Sequence, residues 1–173
     1  MCKACSAGRF NEYGSGEGAS KHDEEADCEL CPKGWKQNEN KQSICLGCIP
    51  GRYQDADGRD QCEDCDKGKA SRKAKAASAT DCALCEKGRY SVTDASTVCT
   101  VCPGGRYGDS LGAQTSSSCK LCQAGEIPEE TAIGSGATKC KSCAKGRYIS
   151  DDLQPATRCL ACMSAETEGS TSW

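Results

Sequence analysis

The residues of this sequence that could carry chemistry are its cysteines, which number 18 among 173 residues. All of them fall in C-x-x-C pairs. Thiols at this spacing can hold a metal ion, perform redox chemistry or form disulfides that cross-link the chain. The nine pairs are Cys2/Cys5, Cys28/Cys31, Cys45/Cys48, Cys62/Cys65, Cys82/Cys85, Cys99/Cys102, Cys119/Cys122, Cys140/Cys143 and Cys159/Cys162.

A metal site and a redox centre are both less consistent with this pattern than disulfides are. The spacing of successive pairs overlaps that of four-cysteine zinc sites. However, nine is an odd number of pairs, the nearest shared glycine lies three residues after the second cysteine rather than beside it, and the pairs follow one another without a break. A thioredoxin-type motif needs a helix N-terminus in a βαβ fold, and the sequence shows no such alternation. Zinc therefore remains only a weaker alternative.

The composition also calls for cross-links. Leu, Ile, Val and Phe together supply 16 of 173 residues, far below the roughly 20% under which a chain is expected to be disordered. Ordering the backbone costs about 1–2 kcal/mol per residue, and so few apolar side chains cannot offset that cost. We therefore predict disulfides formed in an oxidising, extracellular environment, and no cofactor.

The sequence is a tandem array of short repeats. The leading cysteines follow one another in steps of 17 to 26 residues, a period typical of small stacked units. We number the units one to nine from leading cysteines at positions 2, 28, 45, 62, 82, 99, 119, 140 and 159, expect the first and last to be incomplete, and read residues 163–173 as a polar tail. The predicted fold is small and disulfide-rich: an elongated array of short β-hairpins and irregular segments with little regular secondary structure.

The repeat suggests a single disulfide connectivity, in which the second cysteine of each pair bonds to the first cysteine of the next. Closing such a loop contributes roughly 3 kcal/mol in the chain-entropy treatment. Cys2 and Cys162 then remain unpaired within this segment, and their partners would lie in flanking repeats of a longer chain. The suggested bonds are Cys5–Cys28, Cys31–Cys45, Cys48–Cys62, Cys65–Cys82, Cys85–Cys99, Cys102–Cys119, Cys122–Cys140 and Cys143–Cys159.

A glycine and an aromatic residue recur at fixed positions after each pair. Glycine lies three residues after the second cysteine in every unit except the last, which has Ala165. This position predicts either a positive φ or a close backbone approach. Arginine and an aromatic residue follow it in five units, as in Arg52-Tyr53. We expect the ring to cover a disulfide and the arginine head to lie in water, with a ligand-binding row of aromatics as the alternative.

These residues give the sequence its family resemblance. The pattern C-x-x-C-x-x-G-x-[YF] followed by C-x-x-C resembles the ephrin-receptor-like cysteine-rich repeat and, more distantly, the tumour-necrosis-factor-receptor repeat. The resemblance covers residues 2–162, and its Gly-Ala-Thr form is found as GSGATKCKSC at 134–143 and more loosely as AASATDCALC at 76–85. It implies an extracellular module that builds structures or contacts other proteins rather than one that performs chemistry.

Few other features suggest a site. A basic run could contact an acidic polysaccharide, although such runs are usually solvated loops. Asp55, Asp57 and Asp60 form an Asp-Gly turn rather than a calcium loop, because Arg59 stands where an oxygen ligand is needed. His22 is the only histidine, so a catalytic set is not expected. The basic run comprises Lys67, Lys69, Arg72, Lys73 and Lys75.

The sequence thus favours a non-enzymatic extracellular rod, spacer or adhesive element, such as a component of a surface fibre or matrix. Its expected partners are flanking repeats or neighbouring protein subunits. The mixed charge, net −3, does not favour nucleic-acid binding, and no segment is apolar enough to span a membrane. A ligand-binding cell-surface receptor ectodomain is the alternative function.

Overall fold

The computed structural model describes residues 5–11, 27–129, 136–149 and 158–161. Sixteen short strands pair into eight two-stranded antiparallel hairpins. The hairpins, in chain order, are Arg9–Phe10 (β1) with Glu29–Leu30 (β2), Trp35–Lys36 (β3) with Leu46–Gly47 (β4), Arg52–Tyr53 (β5) with Glu63–Asp64 (β6), Lys69–Ala70 (β7) with Ala83–Leu84 (β8), Arg89–Tyr90 (β9) with Thr100–Val101 (β10), Arg106–Tyr107 (β11) with Lys120–Leu121 (β12), Glu126–Glu129 (β13) with Lys139–Ser142 (β14), and Arg147–Tyr148 (β15) with Leu160–Ala161 (β16).

The sequence places the two strands of each hairpin. The first strand follows the repeat glycine, and the second contains the two residues between the cysteines of the next pair; only in the hairpin of β13 and β14, among the described residues, are the strands longer than two residues. In the third unit, for example, Arg52 lies opposite Asp64 and Tyr53 opposite Glu63. The fold class is therefore confirmed: the chain is disulfide-rich and consists mainly of short hairpins and irregular segments.

Eight disulfides in tandem close the hairpins, and each joins the second cysteine of one pair to the first cysteine of the next. This is the connectivity that the repeat suggests. Cys2 and Cys162 lie outside the described residues. The bonds are Cys5–Cys28, Cys31–Cys45, Cys48–Cys62, Cys65–Cys82, Cys85–Cys99, Cys102–Cys119, Cys122–Cys140 and Cys143–Cys159.

Sulfur, rather than hydrocarbon, forms the core of this fold. Apart from glycines and four polar residues, the buried residues of the described ranges are nine cysteines together with Ala76 and Ala137. The aromatic rings of the repeat are only half-buried, and Tyr148 is 45% exposed. Since a fold without a large apolar core has little else to offset its chain entropy, the cross-links supply the stability that burial provides elsewhere.

Candidate functional site: the joints between units

The repeat glycine is required both for its conformation and for a close contact. Gly34 has a φ of +82°, and its N–H donates to the carbonyl of Gln54 in the next unit at 2.8 Å. A Cβ added to Gly34 would lie 2.5 Å from the carbonyl oxygen of Lys75, two units further along the chain. The packing of this glycine therefore reaches beyond the neighbouring unit. The same contact brings backbone from two units ahead against Gly8, Gly51, Gly68 and Gly88.

Three backbone hydrogen bonds hold successive units together, and we call them the joint triad. At the joint between units three and four, Gly51 N–H donates to Ser71 O at 2.8 Å, and Gln54 N–H donates to Ala76 O at 3.0 Å. In the third bond, Lys75 N–H donates to Cys48 O at 2.7 Å. The same three bonds recur at each of the first five joints. Each of these joints therefore places one unit against the next through the same three backbone hydrogen bonds.

The donor of the third bond has a positive φ in each unit from two to six. Lys75 and Ala95 both have φ of 55°, whereas Gly58 and Gly112 fill the equivalent positions in units three and six. Lys41 takes the same conformation, at φ 64°, in unit two. The sequence does not reveal this position, because glycine occupies it in only some units. Three non-glycine residues thus adopt a conformation that costs about 1–2 kcal/mol and is held by the surrounding joint.

An Asn or Asp precedes the left-handed residue in three units and adds a fourth contact to the joint. Asp57 Oδ1 accepts a hydrogen bond from Lys33 N–H at 3.0 Å. Asn40 and Asp94 make the equivalent bonds to the backbone N–H groups of Ala7 and Lys67, at 2.9 and 3.0 Å. The Asp-Gly sequence at Asp57 is thus a turn whose carboxylate joins two units.

The third residue after the repeat glycine is buried and polar in four consecutive units. In units two and three this residue is Gln37 and Gln54, each 3% exposed. Gln54 Nε2 donates to Gln61 O at 2.7 Å, and its Oε1 accepts from Ala56 N–H at 3.0 Å. This position was not predicted from the sequence, although a polar residue that recurs at a fixed place in the repeat could have indicated it. The side chain holds the loop of its own unit while its backbone joins the units on either side.

Longer units carry an additional 3-10 turn before the leading cysteine. The turn Ala79–Asp81 begins with a capping box between Ser78 and Asp81, and a second turn spans Ser116–Ser118. Ala76, which is fully buried, forms a parallel bridge with Tyr53 of the preceding unit. The Gly-Ala-Thr form of the repeat therefore marks a small side chain that allows this approach.

The arginines of the repeat also make hydrogen bonds or ion pairs within their own hairpins, which the sequence pattern does not predict. Nη1 of Arg9, Arg89 and Arg106 donates to the carbonyl of the leading cysteine across the hairpin, at 3.0, 3.0 and 2.8 Å. Arg52 differs, because its Nε lies 2.7 Å from the carboxylate of Asp64. These guanidinium groups help to hold the disulfide-bonded end of each hairpin.

Tyr53 has the most perturbed titration among the described residues. Its Oη donates to Glu63 at 2.8 Å across the hairpin. This hydrogen bond, with smaller effects of desolvation and nearby carboxylates, raises the pKa of Tyr53 to about 12. A hydrogen bond that stabilises the neutral phenol against an adjacent negative charge accounts for the direction. The contact links the two strands of the hairpin formed by β5 and β6.

The basic run is partly neutralised by intramolecular contacts. Lys69 pairs with Asp66 at 2.8 Å, and Lys73 pairs with Asp81 at 2.8 Å. The hydrogen bond from Lys73 lowers the pKa of Asp81 below its usual value. The ammonium of Lys75 lies 4.1 Å from the centroid of the Trp35 ring. A polyanion contact through Lys67, Lys69, Arg72, Lys73 and Lys75 stays a prediction.

Within the described ranges, no metal centre or membrane span is formed. Sixteen sulfurs are bonded to one another and are not available as thiolate ligands. Among these residues, no group of three or more His, Cys, Asp and Glu side chains is placed to hold a metal ion. No helix in the same ranges has the length and apolar character needed to cross a bilayer. His22 lies outside them.

Comparison with known families gives a match to part of the chain. Residues 79–119 match the family described as tyrosine-protein kinase ephrin type A/B receptor-like. This segment begins in the 3-10 turn before Cys82, ends at Cys119 and contains two disulfides. Together with the regular series of eight disulfides, the match confirms the resemblance to this cysteine-rich repeat. The family is a non-enzymatic, receptor-like module, which indicates an extracellular disulfide-rich protein. No curated protein matches the chain.

Proposed function

We propose that the chain serves as a non-enzymatic extracellular rod or spacer. The observation that carries this proposal is the joint triad, which recurs with the same donors and acceptors at five consecutive joints. Because these bonds join each unit to the next, and the repeat glycines pack against the unit after that, the contacts of the described residues run along the array.

The composition of the core supports an extended shape, because the buried residues are mainly the cysteines of successive units. A rod of this kind would hold two attached structures at a fixed separation, and its partners would be flanking repeats or neighbouring subunits.

Small-angle scattering tests the proposal. A compact chain of this length has a radius of gyration of about 16 Å, so the disulfide-bonded protein is expected to give a clearly larger value and an extended distance distribution. A value at the compact estimate for the oxidised protein would contradict the rod. The reduced and alkylated protein provides the control, since it should lose this distribution and scatter as an unfolded chain.

A receptor ectodomain is the second candidate, and the description of the matched family favours it. In that role the loops of one particular unit would bind a protein ligand. If alanine substitutions are introduced into the loops of one unit at a time, only the substitutions in that ligand-binding unit should abolish binding of the labelled protein to cells. A rod would tolerate the loop changes in every unit.

A further inference from the structure

Two positions of the repeat meet at each joint, one from each of the two units that it connects. The first is the second residue between the cysteines of a pair, which we call the inner residue. The other is the left-handed residue of the next unit. If each joint is numbered by the unit that precedes it, these residues are Leu30 and Gly58 at the second joint, and Gly47 and Lys75 at the third.

At three joints, a branched apolar inner residue fills the space beside a left-handed glycine. A Cβ added to the glycine would stand about 3 Å or less from a methyl carbon of the inner residue, whereas nonbonded carbon atoms prefer a separation of about 3.5–4.0 Å. A larger left-handed residue would therefore displace the inner side chain. The pairs are Gly58 with Leu30 at 2.6 Å, Gly112 with Leu84 at 2.8 Å, and Gly136 with Val101 at 3.1 Å.

The third joint reverses this arrangement. Its inner residue is Gly47, and a Cβ added there would lie 2.7 Å from Cγ and 3.1 Å from Cε of Lys75. The lysine stem therefore lies over the glycine. Its ammonium lies 4.1 Å from the ring centroid of Trp35, the residue that pairs with Gly47 across the hairpin. At this joint the left-handed residue supplies the bulk that the inner residue supplies at the three others.

The two exceptional residues occur at the same joint. Gly47 is the only glycine at the inner position of the described cysteine pairs, and Lys75 is the only lysine at the left-handed position from the second joint to the sixth. At the fourth joint, the sequence has Asp64 and Ala95 at these positions, a medium-sized residue and a small one. Each of these five pairs has three to five side-chain heavy atoms in total. The combined size is thus nearly constant, although the size of each member varies.

We propose that these two positions form a size-matched contact that determines which units can be neighbours. A cysteine pair with leucine or valine at the inner position accepts a unit with a left-handed glycine, whereas the pair of unit three accepts a unit with a left-handed lysine. Two bulky residues would overpack the joint, and two glycines would leave a gap. The units are therefore not interchangeable. This inference concerns the joints themselves and holds equally for a rod and for a receptor ectodomain.

A double-mutant cycle in the full, disulfide-bonded chain tests the contact at the third joint. The amide of Gln54 reports on this joint, because it donates to Ala76 O. Gly47→Leu should lower its protection from hydrogen exchange about tenfold, because leucine and lysine then compete for one space. Adding Lys75→Gly recreates the leucine–glycine pair of the second joint and should restore protection to within about threefold of the original.

Two further variants complete this cycle. Lys75→Gly alone should change the protection of the Gln54 amide by about threefold or less, because the lost lysine contact and the relieved left-handed conformation oppose each other. Arg72→Gly removes an exposed cation from the same loop and should not restore protection in the Gly47→Leu variant. An effect of Lys75→Gly that is the same with and without Gly47→Leu would overturn the proposal, because residues that do not interact have additive effects.

Intact mass shows whether each variant forms its eight disulfides. If the Gly47→Leu variant does not form them, recovery of all eight on adding Lys75→Gly, but not on adding Arg72→Gly, is the expected result. Recovery with neither substitution would contradict the size-matched contact.

Moving the reversed pair to the fifth joint gives an independent test. The reporting amide there is that of Ser91, which donates to Ala113 O at 3.0 Å. Leu84→Gly should lower its protection in the original chain, because a gap is left beside Gly112. In the Gly112→Lys variant, the same Leu84→Gly substitution should instead raise the protection, because it makes room for the lysine. A decrease in both backgrounds would overturn the proposal.

Discussion

Gly51 and Gly125 occupy the same position of the repeat but have different surroundings. Their φ angles are +85° and +81°. A Cβ on Gly51 would collide with the carbonyl of Ala95, whereas a Cβ on Gly125 would meet none of the described residues within 4 Å. We expect Gly125→Ala to cost about 1 kcal/mol, from the left-handed conformation alone. Gly51→Ala should cost about 3 kcal/mol, because backbone must also move.

Native-state hydrogen exchange measures both costs as local opening free energies. The reporting amide for Gly51 is that of Cys65, and the reporting amide for Gly125 is that of Cys143, since each donates to the carbonyl of its glycine. Equal losses in the two variants would mean that the close approach to the unit two positions ahead contributes nothing.

The pair formed by Tyr53 and Glu63 makes a prediction about alkaline pH. Because the folded pKa of Tyr53, about 12, lies above the ordinary value near 10, the stabilisation is complete below about pH 10 and is lost as the pH rises toward 12. Glu63→Gln should return the pKa of Tyr53 toward 10, as followed by absorbance of the phenolate in a rapid titration. The Tyr53→Phe variant lacks this phenolate, so its absorbance titration shows which part of the signal belongs to Tyr53. A pKa unchanged by Glu63→Gln would exclude the carboxylate as the cause.

The loop of unit three depends on one buried side chain. Gln54→Ala would leave Gln61 O and Ala56 N–H without their partners, and the expected loss is about 1–3 kcal/mol. Gln61→Ala is the matched control, because it removes an exposed side chain and keeps the carbonyl that accepts the bond. The midpoint of thermal unfolding should fall in the first variant and stay nearly constant in the second. A similar fall of the unfolding midpoint in both variants would contradict the structural role proposed for the Gln54 side chain.

At the scale of elements, the repeat allows the hairpins to be predicted but not how they stack. The positions of Gly51, Arg52 and Tyr53 between two cysteine pairs predict a strand, a turn and a returning strand. The left-handed residue was missed because Lys75 and Ala95 give no local sign of a positive φ. The contact between a repeat glycine and the unit two positions ahead was not predicted for a related reason. The period of the sequence shows where each unit begins but not which units pack against one another.

The destination of the arginine heads could not be predicted either. An exposed guanidinium and one that donates to a carbonyl have the same sequence pattern. The carbonyl of Cys28 becomes available to Arg9 only because the disulfide and hairpin bring it across the strand pair. Such contacts are consequences of the fold and not of any neighbouring residue type.

For the whole molecule, eight disulfides predict a distinct mass. The oxidised protein should weigh sixteen hydrogens less than the reduced protein, because each of eight bonds removes two. Alkylation without reduction should label no cysteine other than Cys2 and Cys162. A chelator should leave the mass and circular dichroism unchanged. Additional thiols that appear after chelation would instead support the zinc alternative.

The contact between Gly51 and the backbone of Ala95 sets a threshold length for autonomous folding. A fragment of two units can form the disulfide that joins them yet cannot supply the carbonyl that seats its first glycine, which comes from the second unit ahead. Three consecutive units, such as three to five, are the shortest piece that contains one complete environment. Removing a unit from the end should therefore unseat the repeat glycine that lies two units before it. Engineered versions of this scaffold should be designed as overlapping triplets of units.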